Sequence, residues 1–257
     1  MPFTISHTAA CLPFLNRTKA VGWRAALVFG TMAPDLMFPI PYFGERGHTH
    51  SIKGLFALDV PFAVFLAAVW IFVLSKRVAR LPGLASIGLH DASAFSIPMA
   101  LLGALVGGAS HLCWDMFTHH GSPLLEHPFF YRVLFEGHDG AVLVQTVIWY
   151  LNSLVGLAIV AWWVRSRLHA GGDGFRGVFL SGPWLRIFAA FSLPYGLILL
   201  KLLHGRPDKL AQAVIDLVYM VDLVRMGMLV SFVFAMAMVW WETRSRVSVA
   251  PPLGSWE

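Results

Sequence analysis

Eight of the eleven histidines fall between positions 48 and 138: His48, His50, His90, His111, His119, His120, His127 and His138. His111 and Asp115 stand four apart in HLCWDMFTHH, which puts both on one face of a helix, and Thr118 and His119 come round to that face one to two turns later. The residues around them are apolar, so the pair is expected inside a membrane helix, where ionisable groups are costly unless they face a partner, an ion or water. GHTHS adds His48 and His50 at the head of the preceding apolar run, MAPD adds Asp35, and TISH adds His7. Imidazoles and carboxylates without a thiolate are the ligand set of a hydrolytic divalent-metal site, zinc first, with manganese or iron as alternatives. Such an ion lowers the pKa of bound water toward about 7 and polarises a phosphoryl or acyl oxygen, so the chemistry needs no Ser or Cys nucleophile. Neither GxSxG, HExxH, a P-loop nor GxGxxG occurs. His111 and Asp115 are the expected catalytic pair; the plainer reading is that they hydrogen-bond each other and a neighbouring helix.

Composition decides what carries these residues. Of 257 residues, 57% are hydrophobic and 13% charged, against roughly a quarter charged in an ordinary soluble domain. Fourteen acidic and nineteen basic side chains, a net of +5, are too few to coat a water-soluble sphere. The cations sit in short clusters between apolar runs, which reads as membrane topology and not as a nucleic-acid face. Cys11 and Cys113 have no paired spacing and are read as small hydrophobes. The opening MPFTISHTAACLPFLNRTKA lacks the parts of a secretory signal, so Met1 is expected to remain the terminus.

The fold expected is an all-α polytopic membrane bundle of five to six helices. Runs long enough for about 30 Å of hydrocarbon occupy Gly54 to Ser75, Ala94 to Phe117, Ala141 to Val164, Trp184 to Leu203 and Tyr219 to Trp241. A sixth, Trp23 to Phe43, contains Pro34, Asp35, Pro39 and Pro41, so its helix is expected to end near Ala33. Residues 6–15 and 23–33 would form a hairpin, turning at Arg17 to Gly22, that brings His7 and Asp35 to one open end. Lys76, Arg77, Arg80, Arg165, Arg167, Arg176, Arg244 and Arg246 mark cytoplasmic loops, leaving the His-rich loops on the other side. The whole chain, 1–257, reads as one integral-membrane domain: 1–140 with the His and Asp motifs, 141–241 with three further helices, and 242–257 as a cytoplasmic tail. Gly103, Gly107 and Gly108 give a small face for close helix packing.

In MPFTISHTAA, ALVFGTMAPD, HSIKGLF and HLCWDMFTHHG, spread in that order over roughly the first half of the chain, the sequence resembles a bacterial membrane-protein family, domain of unknown function 4184. That family is similar to LexA-regulated inner-membrane metal-dependent hydrolases, and more remotely to zinc-dependent phospholipase C. The resemblance implies metal-ligand roles for His7, Asp35, His50, His111 and Asp115, with His48, His119 and His138 as further candidates. With no HxxxE after HxxxD, one or two ions are expected instead of three. Two functions stay open: a hydrolase of a phosphoester or other ester bond in the bacterial cytoplasmic membrane, with a lipid or lipid-linked substrate, or a non-catalytic metal transporter or scaffold. Asp222 and Arg225 read as a structural ion pair, Gln145, Asn152 and Ser153 as interhelical hydrogen bonds, and His90, His127, His169 and His204 as solvated side chains.

Overall fold

The computed structural model of the chain describes residues 4–15, 17, 21–37, 46–79, 81, 95–117, 125–137, 140–170, 175–204 and 234–244. It is mainly helical and divides into two compact units, one of residues 1–74 with 88–167 and one of 75–87 with 168–257.

The first unit holds the residues singled out above. Its principal helices are α1 (Val21–Leu36), α2 (Ile52–Leu74), α3 (Ile97–Asp115) and α4 (Val144–Ala170). The last three are long and apolar enough to cross a bilayer. Their outward side chains, Phe56, Phe65 and Phe72 on α2 and Leu151, Leu154 and Trp162 on α4, are exposed apolar groups, the surface a membrane helix offers to lipid. Inside, Ala25, Ala26, Ala33, Ala63, Ala67, Ala100 and Ala104 pack with Leu55, Val60 and Ile71. Small side chains let backbones approach where lipid provides no hydrophobic drive.

α1 and α3 run side by side in the same direction. A Cβ on Gly103 would meet the Trp23 carbonyl oxygen at 2.6 Å, and one on Gly107 would meet the Thr31 nitrogen at 2.9 Å. The expected small face is thus the seam between these two helices. Residues 4–15, a series of short 3-10 and α turns, fold back along α1 as the expected hairpin. Thr4 Oγ1 donates to Asp35 Oδ2 (2.9 Å) at one end, and Trp23 Nε1 and Arg24 Nε donate to the Phe14 and Leu15 carbonyls (3.0 Å each) at the other. Arg24 is therefore beside the first half of α3, about 10 Å along the axis from Thr31, which touches His111.

Two local expectations are corrected. α1 does not stop at Ala33 but continues through Pro34 to Leu36. A proline removes one backbone bond and strains the turn before it, yet the Met37 amide still bonds the Ala33 carbonyl at 3.0 Å, and packing on α3 holds the last turn. Residues 141–143 are strand, not the start of a membrane helix: β1 (Val133–Gly137) pairs antiparallel with β2 (Gly140–Leu143), and α4 begins at Val144 and runs on to Ala170. Within α2, Leu55–Asp59 and Trp70–Leu74 are π-helical. Pro61 brings no N–H and crowds the carbonyl four residues back, which opens the turn that ends at Asp59.

The second unit contains Ser75–Val78, Phe175–Phe179, α5 (Gly182–His204) and α6 (residues 234–244). α5 covers the run expected at Trp184 to Leu203, but three spans, not five or six, stand among the described residues. Most of Tyr219 to Trp241, with Asp222 and Arg225, lies outside them. α6 extends to Arg244, so the first residues assigned to a tail are helical. Arg186 of α5 grips Glu242 of α6 through both carboxylate oxygens, Nη2 to Oε2 at 2.9 Å.

Candidate functional site

Four local devices deliver the five residues. His7 closes the 3-10 turn Thr4–His7. Asp35 sits in the last turn of α1, tied down by Thr4. His50 immediately precedes Ser51, the N-cap of α2, whose hydroxyl accepts from the Gly54 amide at 3.0 Å. His111 and Asp115 share one face in the last turn and a half of α3. Two helix ends, one helix start and the hairpin head thereby meet at one end of the unit.

The geometry is close. His50 Nε2 lies 3.3 Å from His111 Nε2, 3.5 Å from Asp35 Oδ1 and 3.3 Å from Asp115 Oδ2. His111 Nε2 lies 3.8 Å from Asp35 Oδ1 and 3.5 Å from Asp115 Oδ2. His7 stacks on His111 with ring centroids 3.9 Å apart, and its Nε2 is 3.6 Å from Asp115 Oδ1. Two overlapping triads, His7 with Asp35 and His111, and His50 with His111 and Asp115, could each hold an ion. His7, Asp35, His111 and Asp115 are buried and His50 is half-buried, with no side chain more than 9% exposed.

The proton positions follow from the partners. His111 Nδ1 is 2.7 Å from the Thr31 carbonyl oxygen, which can only accept, so Nδ1 carries the proton and a neutral His111 presents the Nε2 lone pair to the cluster. A carbonyl behind the ring is the usual way a metal-binding imidazole is oriented. Burial alone would raise the Asp35 carboxyl, which lies in α1, outside the three spans; His50, His111 and His7 around it outweigh burial and the opposing Asp115, and hold it below the ordinary carboxylate value. Cys11, fully buried, donates to the Thr8 carbonyl (3.2 Å), and burial pushes its thiol up to about 12, so it is no thiolate ligand.

The remaining candidates separate. His48 is exposed in the turn Arg46–Thr49 and does not join either triad. His119 and His138, with His120, His90 and Thr118, lie outside the described residues. His127 is exposed and accepts from the Phe129 amide. Asn152 and Ser153 donate to carbonyls of their own helix, Ile148 and Trp149, not across to another.

Sequence reading missed Asp59. It lies in LFALDVPF within α2, is 1% exposed, and neither carboxylate oxygen has a hydrogen-bond partner among the described residues. It feels the charges of His111 and Asp35. The signal was available: a carboxylate in an apolar span, two residues before a proline, is a functional hypothesis by default.

Among protein families, the profile described as "Domain of unknown function (DUF4184)" matches residues 1–249. Comparison with curated proteins and with solved structures gives no match.

Proposed function

The chain belongs to the domain of unknown function 4184 family, and from that premise we propose that it is a metal-dependent hydrolase of the bacterial cytoplasmic membrane, cleaving a phosphoester or other ester bond on the non-cytoplasmic side. The observation that carries this reading is the spacing of four donor atoms. Around an ion bound at about 2.0–2.2 Å, tetrahedral ligands stand about 3.3–3.6 Å apart; among His50 Nε2, His111 Nε2, Asp35 Oδ1 and Asp115 Oδ2, four separations are 3.3 to 3.5 Å and a fifth, His111 to Asp35, is 3.8 Å. The His111 Nε2 lone pair, 3.3 Å from His50 Nε2, is open to such an ion together with the two carboxylates. The motif resemblance read from the sequence, to LexA-regulated inner-membrane hydrolases and zinc-dependent phospholipase C, would make the ion zinc and the chemistry ester cleavage.

A bound divalent cation would supply Lewis acidity and lower the pKa of water toward about 7. The chain's own parts are then clear. Thr31 fixes the His111 ring, and Thr4 fixes Asp35 through Oδ2 while Oδ1 faces the cluster. Asp115 turns Oδ2 to His50 and His111 and Oδ1 to His7, so Oδ1 can take the proton of an attacking water with His7 beside it.

Closure by four donors favours a second reading, a structural ion in a transporter or scaffold. Elemental analysis of untagged protein in detergent separates these. At least one equivalent of zinc, manganese or iron, lost in His111→Ala and Asp115→Ala while both still fold, supports a working centre and justifies a screen of phosphoesters and lipids. Loss of the fold together with the ion supports the structural role, and no metal after supplementation overturns both.

A further inference from the structure

The inward face of α4 carries polar groups that the metal cluster does not use. Gly156 lies against the hairpin head, where a Cβ would meet Ser6 Cβ at 2.7 Å, and Ser6 adjoins His7. At 100° per residue, Trp149 and Gln145, seven and eleven positions earlier, point within about 20° of the same direction. They stand about 10 and 16 Å further along the helix axis, toward the end where the chain enters from β2. Gln145 is 1% exposed, and its Oε1 and Nε2, like Trp149 Nε1, are buried with no hydrogen-bond partner among the described residues. Buried groups in that state are costly unless a partner arrives. Leu151 and Leu154 on the opposite side of the helix, and Tyr150 and Val155 on its flanks, are exposed apolar groups.

We propose that Gln145 and Trp149 form a headgroup subsite of a membrane phospholipid, receiving phosphoryl oxygens beyond the metal cluster while the acyl chains lie along the apolar side of α4. Three N–H donors, two on the amide and one on the indole, against one acceptor suit a head that offers mainly acceptor oxygens. A soluble phosphate would meet the same donors, but the apolar strip begins at Tyr150, one residue from Trp149, and gives only a lipid additional contact. Catalysis at this lipid rests on the hydrolase reading; binding does not.

The test uses full-length protein with 5-fluorotryptophan, in dodecyl maltoside micelles with and without phosphatidic acid, and with glycerol phosphate as the soluble arm. Trp149→Phe assigns the resonance. Phosphatidic acid is expected to shift the Trp149 signal, and Gln145→Met to weaken its apparent affinity about tenfold, the loss of one buried hydrogen bond. No shift in the wild type, or an affinity unchanged in Gln145→Met, overturns the subsite; an equal shift with glycerol phosphate overturns the lipid assignment. Because the wild-type shift stands by itself, a variant that does not fold leaves the test intact. Metal is measured in the same samples: a shift without metal sinks the hydrolase reading and keeps the subsite, while metal without a shift does the reverse.

Discussion

At the scale of single residues, the site depends on who holds each proton. The Thr31 carbonyl makes His111 a donor at Nδ1 and therefore a ligand at Nε2, and Asp115 offers one oxygen to His50 and His111 and the other to His7. Asp115→Asn keeps the shape and removes the charge, so bound zinc should fall at least tenfold in affinity, an order set by the loss of one anionic ligand; titration with a competing chelator measures it. Asp35 makes a pH prediction with a fixed sign. Its folded value lies below its unfolded value of about 3.9, so it contributes stability above that pH and loses it as the pH falls through the depressed folded value. The thermal midpoint of metal-free protein in detergent should therefore hold near neutrality and fall below about pH 4. Asp35→Asn should start lower and stay flatter over that window; an unchanged acid limb would remove Asp35 from the network.

At the scale of elements, packing decides whether those residues meet. The α1–α3 seam places Thr31 against His111, and Gly107 is what allows it. Gly107→Leu should overpack the seam, costing about 1–3 kcal/mol or more, and should lower bound metal as well, read by thermal unfolding and elemental analysis together. Unchanged metal would show that the seam does not set the site. This seam was legible in GALVGG, and the five clustered residues were legible as polar intrusions into apolar runs, because a membrane segment makes every such intrusion conspicuous. The β-hairpin was not: VLFEGHDGAVL merges into the apolar run of α4, and hydropathy alone cannot divide strand from helix there. Nor was Asp59, which counting span length absorbed into α2. With no hydrogen-bond partner among the described residues, it should be costly to keep charged in an apolar helix, so Asp59→Asn should raise the thermal midpoint, by about 2–4 °C per kcal/mol relieved, and leave metal content unchanged. A fall in either would place Asp59 among the groups that hold the ion.

At the scale of the molecule, the direction of the helices fixes where the chemistry faces. In the first unit α1 and α3 end at the cluster and α2 begins there. α4 passes Ser6 at Gly156 and then packs Trp163 among Cys11, Leu15, Trp23 and Leu27, at the hairpin's far end. Arg165 and Arg167 follow Trp163, so the positive charge lies at the end opposite the cluster, where the positive-inside rule puts the cytoplasm. Single cysteines in a Cys113→Ala background turn this into a measurement, Cys11 being buried. In intact cells with a permeable outer envelope, a membrane-impermeant maleimide should label His48→Cys and His127→Cys, both exposed positions, and should reach Arg165→Cys only after lysis. Labelling of all three before lysis would mean that α4 does not cross the bilayer; the reverse pattern would turn the cluster toward the cytoplasm, and any lipid it cleaves would then be drawn from the inner leaflet.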